Sequence, residues 1–298
     1  LIDAKAGELG LLPTDAMRAR RHPLAIVGLW AWETGLALLF ALPAASLAGS
    51  VFGRGLAGDA AIWTPGALPL LDALGRQDPG VTAVATAGIV ALALGAVAGL
   101  VPLGATLTVL AYAQRDGRAA GVTRSLSEGT RLFPPMALLL VLAGLAQGAT
   151  LLVGAAIASL VESWTHESLG EARAEQLQFL LLLLSLGAAS AVGAAHDLSR
   201  AAVVRFKVSG LRGAVLGTRT LRLSPLGTWW SWAWRELASF APLFAAAWVA
   251  GRLGGRGGLA LLVVFALHQL GVAARVALRT SWLARALRAV DAAFRRVA

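Results

Sequence analysis

The chain has 298 residues, of which 57% are hydrophobic and only 14% charged, with a mean hydropathy of +0.71 and a formal net charge of +10. Soluble domains carry roughly 25% charged residues, so the composition argues against one and predicts a single integral membrane domain spanning 1–298. Cysteine is absent, which excludes disulfides, thiolate catalysis and Cys-ligated zinc or iron–sulfur centres.

In chain order, the approach from Thr14 to Arg21 is amphipathic and carries Arg18, Arg20 and Arg21. The first apolar run, Leu24 to Ala48, is too long for the core of a cleaved leader and reads as a membrane crossing. The loop after it has mixed charge (Arg54, Asp59, Asp72, Arg76, Asp78). It holds Trp63 and a stretch from Leu68 to Leu74 that reads as a short interfacial helix. A second run, Val81 to Ala113, contains Pro102, which predicts a kink. An amphipathic segment, Val122 to Leu132, precedes the third run, Pro134 to Val161. An acidic loop with Glu162, Glu167, Glu171 and Glu175 against Arg173, and with Trp164 at headgroup level, leads to the fourth run, Leu177 to Ala195. A second such segment, Leu211 to Leu223, precedes the fifth run, Leu226 to Ala250, and the sixth is Gly258 to Leu278. The runs are continuous and rich in Leu and Ala, which predicts helices rather than the alternating strands of a barrel. Small-residue stretches, Gly88 to Gly104 and Gly144 to Gly154, predict close helix packing. The expected architecture is all-α: six transmembrane helices in three repeated hairpins, each introduced by a cytoplasmic interfacial helix. The repeats cover about 14–113, 122–204 and 211–290.

The repeat is visible in the residues. Arg20-Arg21-His22-Pro23-Leu24 followed by Trp30-Ala31-Trp32-Glu33 returns at a constant offset as Arg222-Leu223-Ser224-Pro225-Leu226 followed by Trp232-Ala233-Trp234-Arg235-Glu236. A weaker copy, Arg131-Leu132-Phe133-Pro134, opens the third run. Proline is tolerated in a helix's first turn, so Pro23, Pro134 and Pro225 are expected to open helices. Arginine is dense before Pro23, in the second and fourth loops and at the C-terminus; only Arg252 and Arg256, in the short turn between runs five and six, run against this bias. The positive-inside rule therefore places both termini in the cytoplasm. The positive charge is read as arginine facing anionic headgroups, with Arg20, Arg21, Arg131 and Arg222 on lipid phosphates, and not as a nucleic-acid surface. The basic residues are almost all arginine, Lys5 and Lys207 excepted; with abundant Ala, Gly and Leu this points to a bacterial inner membrane.

Intramembrane charge is costly, so Glu33 and Arg235, at equivalent repeat positions, are expected to pair or to line a hydrated cavity. Pairing would lock the first hairpin on the third; a transport or proton site at Glu33 is the functional alternative. Glu236 is a second candidate partner for Arg235, although adjacent helical residues face different ways. Trp229, Trp230, Trp232 and Trp234 read as an interfacial belt, with a partner surface or a headgroup platform as alternatives. His196 and Asp197 at the end of helix four, with Arg200 one turn on, read as a polar cap at the inner interface. Gln147, His268 and Gln269 read as interhelical hydrogen-bonding residues. The four histidines lack ligand spacing, and no metal or cofactor is expected.

No H-E-x-x-H, G-x-S-x-G or P-loop motif occurs, and paired membrane carboxylates are missing, so the chain is expected not to be an enzyme. Tyr112-Ala113-Gln114-Arg115-Asp116-Gly117, then Ser125, Gly129 and Arg131, together with Asp197, Arg200, Gly210 and Arg212, resemble a group of bacterial six-helix membrane proteins similar to the membrane domain of glycerophosphodiester phosphodiesterases. The resemblance implies topology and no catalytic residues. The leading expectation is an accessory or scaffold subunit of an inner-membrane assembly, binding other membrane subunits. The alternative is a permease subunit for a small or lipid-like substrate, working with a separate ATPase.

Overall fold

The apolar runs form helices in a computed structural model that describes residues 17–52, 79–112, 120–253 and 258–295. After a 3-10 turn at Ala19–Arg21 come α1 (Pro23–Phe52), α2 (Pro79–Ala98), α3 (Leu100–Ala111), α4 (Val122–Arg131), α5 (Phe133–Leu169), α6 (Glu171–Phe206), α7 (Gly210–Leu223), α8 (Pro225–Leu253) and α9 (Leu259–Arg295). Among the described residues there is no strand. Four helical segments are long and apolar enough to cross a bilayer: Ala85–Ala111, Phe133–Ser168, Glu171–Phe206 and Leu262–Arg295. Only 11–17% of their most apolar stretches is buried within the chain, so their large aliphatic side chains face outward. That is the arrangement of a membrane protein, in which lipid covers the outer faces. α1 is apolar over the shorter stretch Pro23–Leu39. α8 has 29 residues, but Arg235, Glu236 and Arg252 dilute its apolarity.

Prolines set the helix starts as expected at Pro23 and Pro225, while Pro134 takes the second position of α5. Around Pro102 the helix is interrupted at one residue: Pro102 has no N–H for the carbonyl of Ala98, Gly99 keeps a right-handed backbone, and α3 resumes at Leu100, so Ala85–Ala111 continues as one apolar segment. The fourth and sixth helices run well past their apolar stretches, to Phe206 and Arg295. Thr14 to Ala16, the first long loop with Trp63 and Leu68 to Leu74, and Arg115, Arg118 and Arg256 lie outside the described residues.

The buried core gathers at the end of the bundle that holds Met17, the first described residue, and the last turns of α9. Met17, Leu107, Leu110, Met136, Leu198, Val203, Val204, Trp282, Leu283 and Leu287 pack there from the chain start, α3, α5, α6 and α9. α4 and α7 lie against this end through their smallest residues. Gly129 of α4 meets Gly104 of α3, where an added Cβ on Gly129 would stand 2.5 Å from the Val101 carbonyl oxygen. Gly213 and Gly217 of α7 sit on α6, and a Cβ on Gly217 would stand 2.3 Å from the Ser199 hydroxyl and 2.5 Å from its backbone nitrogen. The larger apolar residues of these two helices, Val122, Leu126, Leu211 and Val215, point outward beside exposed arginines.

Gly217→Ala should therefore push α7 off α6 and lower stability by about 1–3 kcal/mol. Thermal unfolding in mild detergent checks this against Gly148→Ala, whose Cβ meets nothing within 4 Å and which should unfold like the parent.

Candidate functional site

α6, α8 and α9 each bring one turn to a single buried carboxylate. Asp197, on α6, is 2% exposed. From α9, Arg279 donates from Nη2 to Oδ1 and from Nη1 to Oδ2, both at 2.6 Å, a two-pronged guanidinium–carboxylate pair. Trp282, one turn further along α9, donates its indole N–H to Oδ2 at 2.9 Å, and Trp232 of α8 does the same at 3.1 Å. Arg200 adds a longer contact to Oδ1 at 3.5 Å. Arg279 also donates to Glu236 Oε1 of α8 at 2.9 Å, closing the network. Each carboxylate oxygen is thus multiply hydrogen-bonded, the condition under which a charge persists in an apolar interior.

This network lines part of a cavity of about 920 Å³ between α1, α2, α3, α5, α6, α8 and α9. Its walls are largely aliphatic, with Leu29, Leu36, Leu92, Leu103 and Leu243 among them, and four arginines (Arg200, Arg235, Arg275, Arg279) face three carboxylates (Glu33, Asp197, Glu236). The expected pair of Glu33 with Arg235 does not form. Arg235 turns to its own helix, donating from Nη1 to the Ser231 carbonyl at 2.5 Å and to its hydroxyl at 2.7 Å, and stacks 4.5 Å from the Trp234 ring centroid. Glu33 instead lies in electrostatic range of Arg275 and Arg279 and makes no hydrogen bond among the described residues. Glu236 pairs with Arg279, not with its neighbour Arg235.

Asp197 and Arg200 are not an interfacial cap, because α6 continues to Phe206 and buries both. His196 lines the same cavity, with its Nε2 buried and unpartnered among the described residues. The tryptophan cluster divides: Trp232 points inward to Asp197, Trp229 donates to the Ser190 hydroxyl at 2.7 Å, and Trp230 and Trp234 remain exposed, so the four do not form one belt. Gln147 donates to the Ala189 carbonyl at 3.2 Å, joining α5 to α6, and Gln269 accepts from Thr34 at 3.2 Å, joining α9 to α1. His268 bonds the Val264 carbonyl of its own helix rather than a neighbour. Arg20, Arg131 and Arg222 are exposed, as is Arg21. No group of three His, Asp or Glu side chains converges for a metal among the described residues.

A second set of contacts ties the helix ends. Arg205 of α6 pairs with Asp291 of α9 at 3.0 Å and donates to the Ala111 carbonyl at 3.2 Å. Tyr112 donates its hydroxyl to the Val204 carbonyl at 2.7 Å, and burial pushes that hydroxyl up to about 12, so it stays a donor. Lys207 pairs with Glu128 at 3.0 Å. Arg279, Trp282, Arg275, Arg205 and Asp291 are the cavity-lining or clamping residues that apolar runs did not mark. The signal for those on α9 is the helical spacing Arg275, Arg279, Trp282, which continues past the end of the apolar stretch. Compared with models of known protein families, with curated proteins and with solved structures, the chain matches none.

Arg279→Gln should destabilise the fold by about 3–5 kcal/mol, since it leaves the buried Asp197 carboxylate with only the longer Arg200 ion pair. Asp197→Asn should cost less, since Arg279 keeps Glu236 and is partly exposed. The double variant should lose clearly less than the sum, and a thermal double-mutant cycle in detergent reads the difference.

Proposed function

We propose that this chain is a non-enzymatic membrane protein that receives an amphiphilic molecule in its central cavity and passes it across or within the bilayer. The observation that carries this reading is the cavity: mostly aliphatic walls that also carry a group of charged side chains. A molecule with an apolar body and a polar end matches that distribution, and pockets of 300–1,000 Å³ hold ligands of this size. Glu33 and Arg275, which have no ion-pair partner among the described residues, are the groups such a ligand would meet. In this reading the chain crosses a bacterial inner membrane six times. The hairpins are α1 with α2–α3, α5 with α6, and α8 with α9, and both termini lie on the arginine-rich cytoplasmic side. α4 and α7 lie along that surface with their arginines toward anionic headgroups.

An accessory role in a larger assembly is the second reading. It is favoured by the outer face of α8, where Trp230, Leu237, Phe244 and Trp248 are exposed at 59%, 67%, 71% and 63%. Aromatic anchors of this kind suit a protein partner as well as lipid.

Filling the cavity separates the two. Gly88 lines it with nothing within 4 Å of an added Cβ, so Gly88→Phe should fold normally yet lose co-purifying amphiphile in native mass spectrometry. Parent protein that carries no amphiphile but retains other subunits would instead establish the accessory role.

A further inference from the structure

The polar groups on the cavity lining are unevenly satisfied. Arg279 has two close carboxylates, Asp197 at 2.6 Å and Glu236 at 2.9 Å. Arg200 of α6, on the same lining, is only 7% exposed, yet its one hydrogen bond among the described residues is a 3.5 Å contact from Nη1 to Asp197 Oδ1. A guanidinium carries five N–H donors, so most of these are unused, and Nε is buried among them without a partner. One helical turn away His196 lines the same cavity, and its Nε2 is also buried with no partner among the described residues.

Residues four apart on a helix are neighbours, with β-carbons about 5–6 Å apart, so His196 and Arg200 present their donors on one side of α6. Asp197, between them in sequence, does not meet this demand. Its two oxygens are taken by Arg279, Trp282 and Trp232, which leaves Arg200 the long contact. Buried N–H groups cost free energy until an acceptor reaches them. Over the whole lining four arginines face three carboxylates, so a negative acceptor fits better than a neutral one. Guanidinium donors make their strongest hydrogen bonds to oxyanions, and a phosphate or carboxylate has oxygens for Arg200 and a His196 ring N–H together. A cationic group is served less well: Asp197 and Glu236 are already engaged by Arg279, which leaves it only Glu33 on α1.

We propose that His196 and Arg200 bind the oxyanion end, phosphate or carboxylate, of the amphiphile held in the cavity, with its apolar chain along the leucines of the wall. The site rests on the cavity reading above and adds to it a preference for anionic over cationic molecules.

The test is scintillation-proximity binding of radiolabelled dodecyl phosphate to the purified full chain in a neutral maltoside detergent. Unlabelled dodecanoate, dodecyltrimethylammonium and inorganic phosphate serve as competitors. Dodecyl phosphate should bind saturably, and dodecanoate should compete about tenfold more tightly than the cationic chain. Inorganic phosphate, which has no chain for the wall, should not compete. Arg200→Lys keeps the charge beside Asp197 but loses the fork, and His196→Phe keeps a ring but loses its N–H without touching the Asp197 network. Each should weaken binding about tenfold, while Arg212→Gln, exposed on α7, should leave it unchanged. No saturable binding, equal competition by the cationic and anionic chains, or unweakened binding in His196→Phe would overturn the oxyanion site. Competition by inorganic phosphate as strong as by dodecanoate would overturn an amphiphile as the source of the anion. Saturable binding that survives Gly88→Phe would instead contradict the cavity reading on which the site rests.

Discussion

The Asp197–Arg279 pair is the interaction on which the rest depends. In a helix bundle surrounded by lipid, apolar side chains gain little by turning inward, because the tails outside are as apolar as the core. Association must come from close packing and from polar contacts that have no better partner elsewhere. Asp197 accepts from Arg279, Trp282 and Trp232 and so joins α6, α8 and α9 at one point, while Arg279 extends the link to Glu236. Removing the carboxylate would leave two indole donors without their acceptor and Arg279 with Glu236 alone.

Packing supplies the other half of the cohesion, and it is concentrated at one end. The largest buried side chains lie near Met17 and the last turns of α9, together with the Arg205–Asp291 pair and the Tyr112 hydrogen bond. Glycines let α4 and α7 approach the longer helices at backbone distance. Toward the other end the helices bury little of their surface, and the cavity occupies the space among them.

Much of the architecture was legible in the residues, and the site was legible only in part. Apolar runs and the prolines that precede them located the long helices, since hydrophobic length and helix-start chemistry are local properties. The ends of α6 and α9 were not legible from apolarity, because both helices continue as polar, periodic segments once the core covers them. That is why Asp197 read as an interfacial cap and why Arg279, one residue beyond the sixth run, was missed. Glu33 and Arg235 occupy equivalent repeat positions, but sequence equivalence does not set helix rotation, and Arg235 found donors' partners on its own helix instead. Of the residues that suggested a resemblance, Tyr112, Gly129, Asp197 and Gly210 make contacts between helices, whereas Ser125 donates to the Gly121 carbonyl at 2.8 Å at the start of its own helix.

In the proposed reading the cavity is reached by water from the side of the membrane opposite the arginine-rich cytoplasmic surface, with the Asp197 network among its lining. The absence of native cysteine makes single-cysteine labelling in sealed vesicles the most direct measurement. Leu36→Cys and Leu243→Cys, both on the cavity wall and half-buried, should react with a membrane-impermeant maleimide from the side opposite the arginine-rich surface, while Leu283→Cys in the core should react from neither. Wall positions that stay unreactive from that side, or that react from the arginine-rich side as readily, would contradict the account.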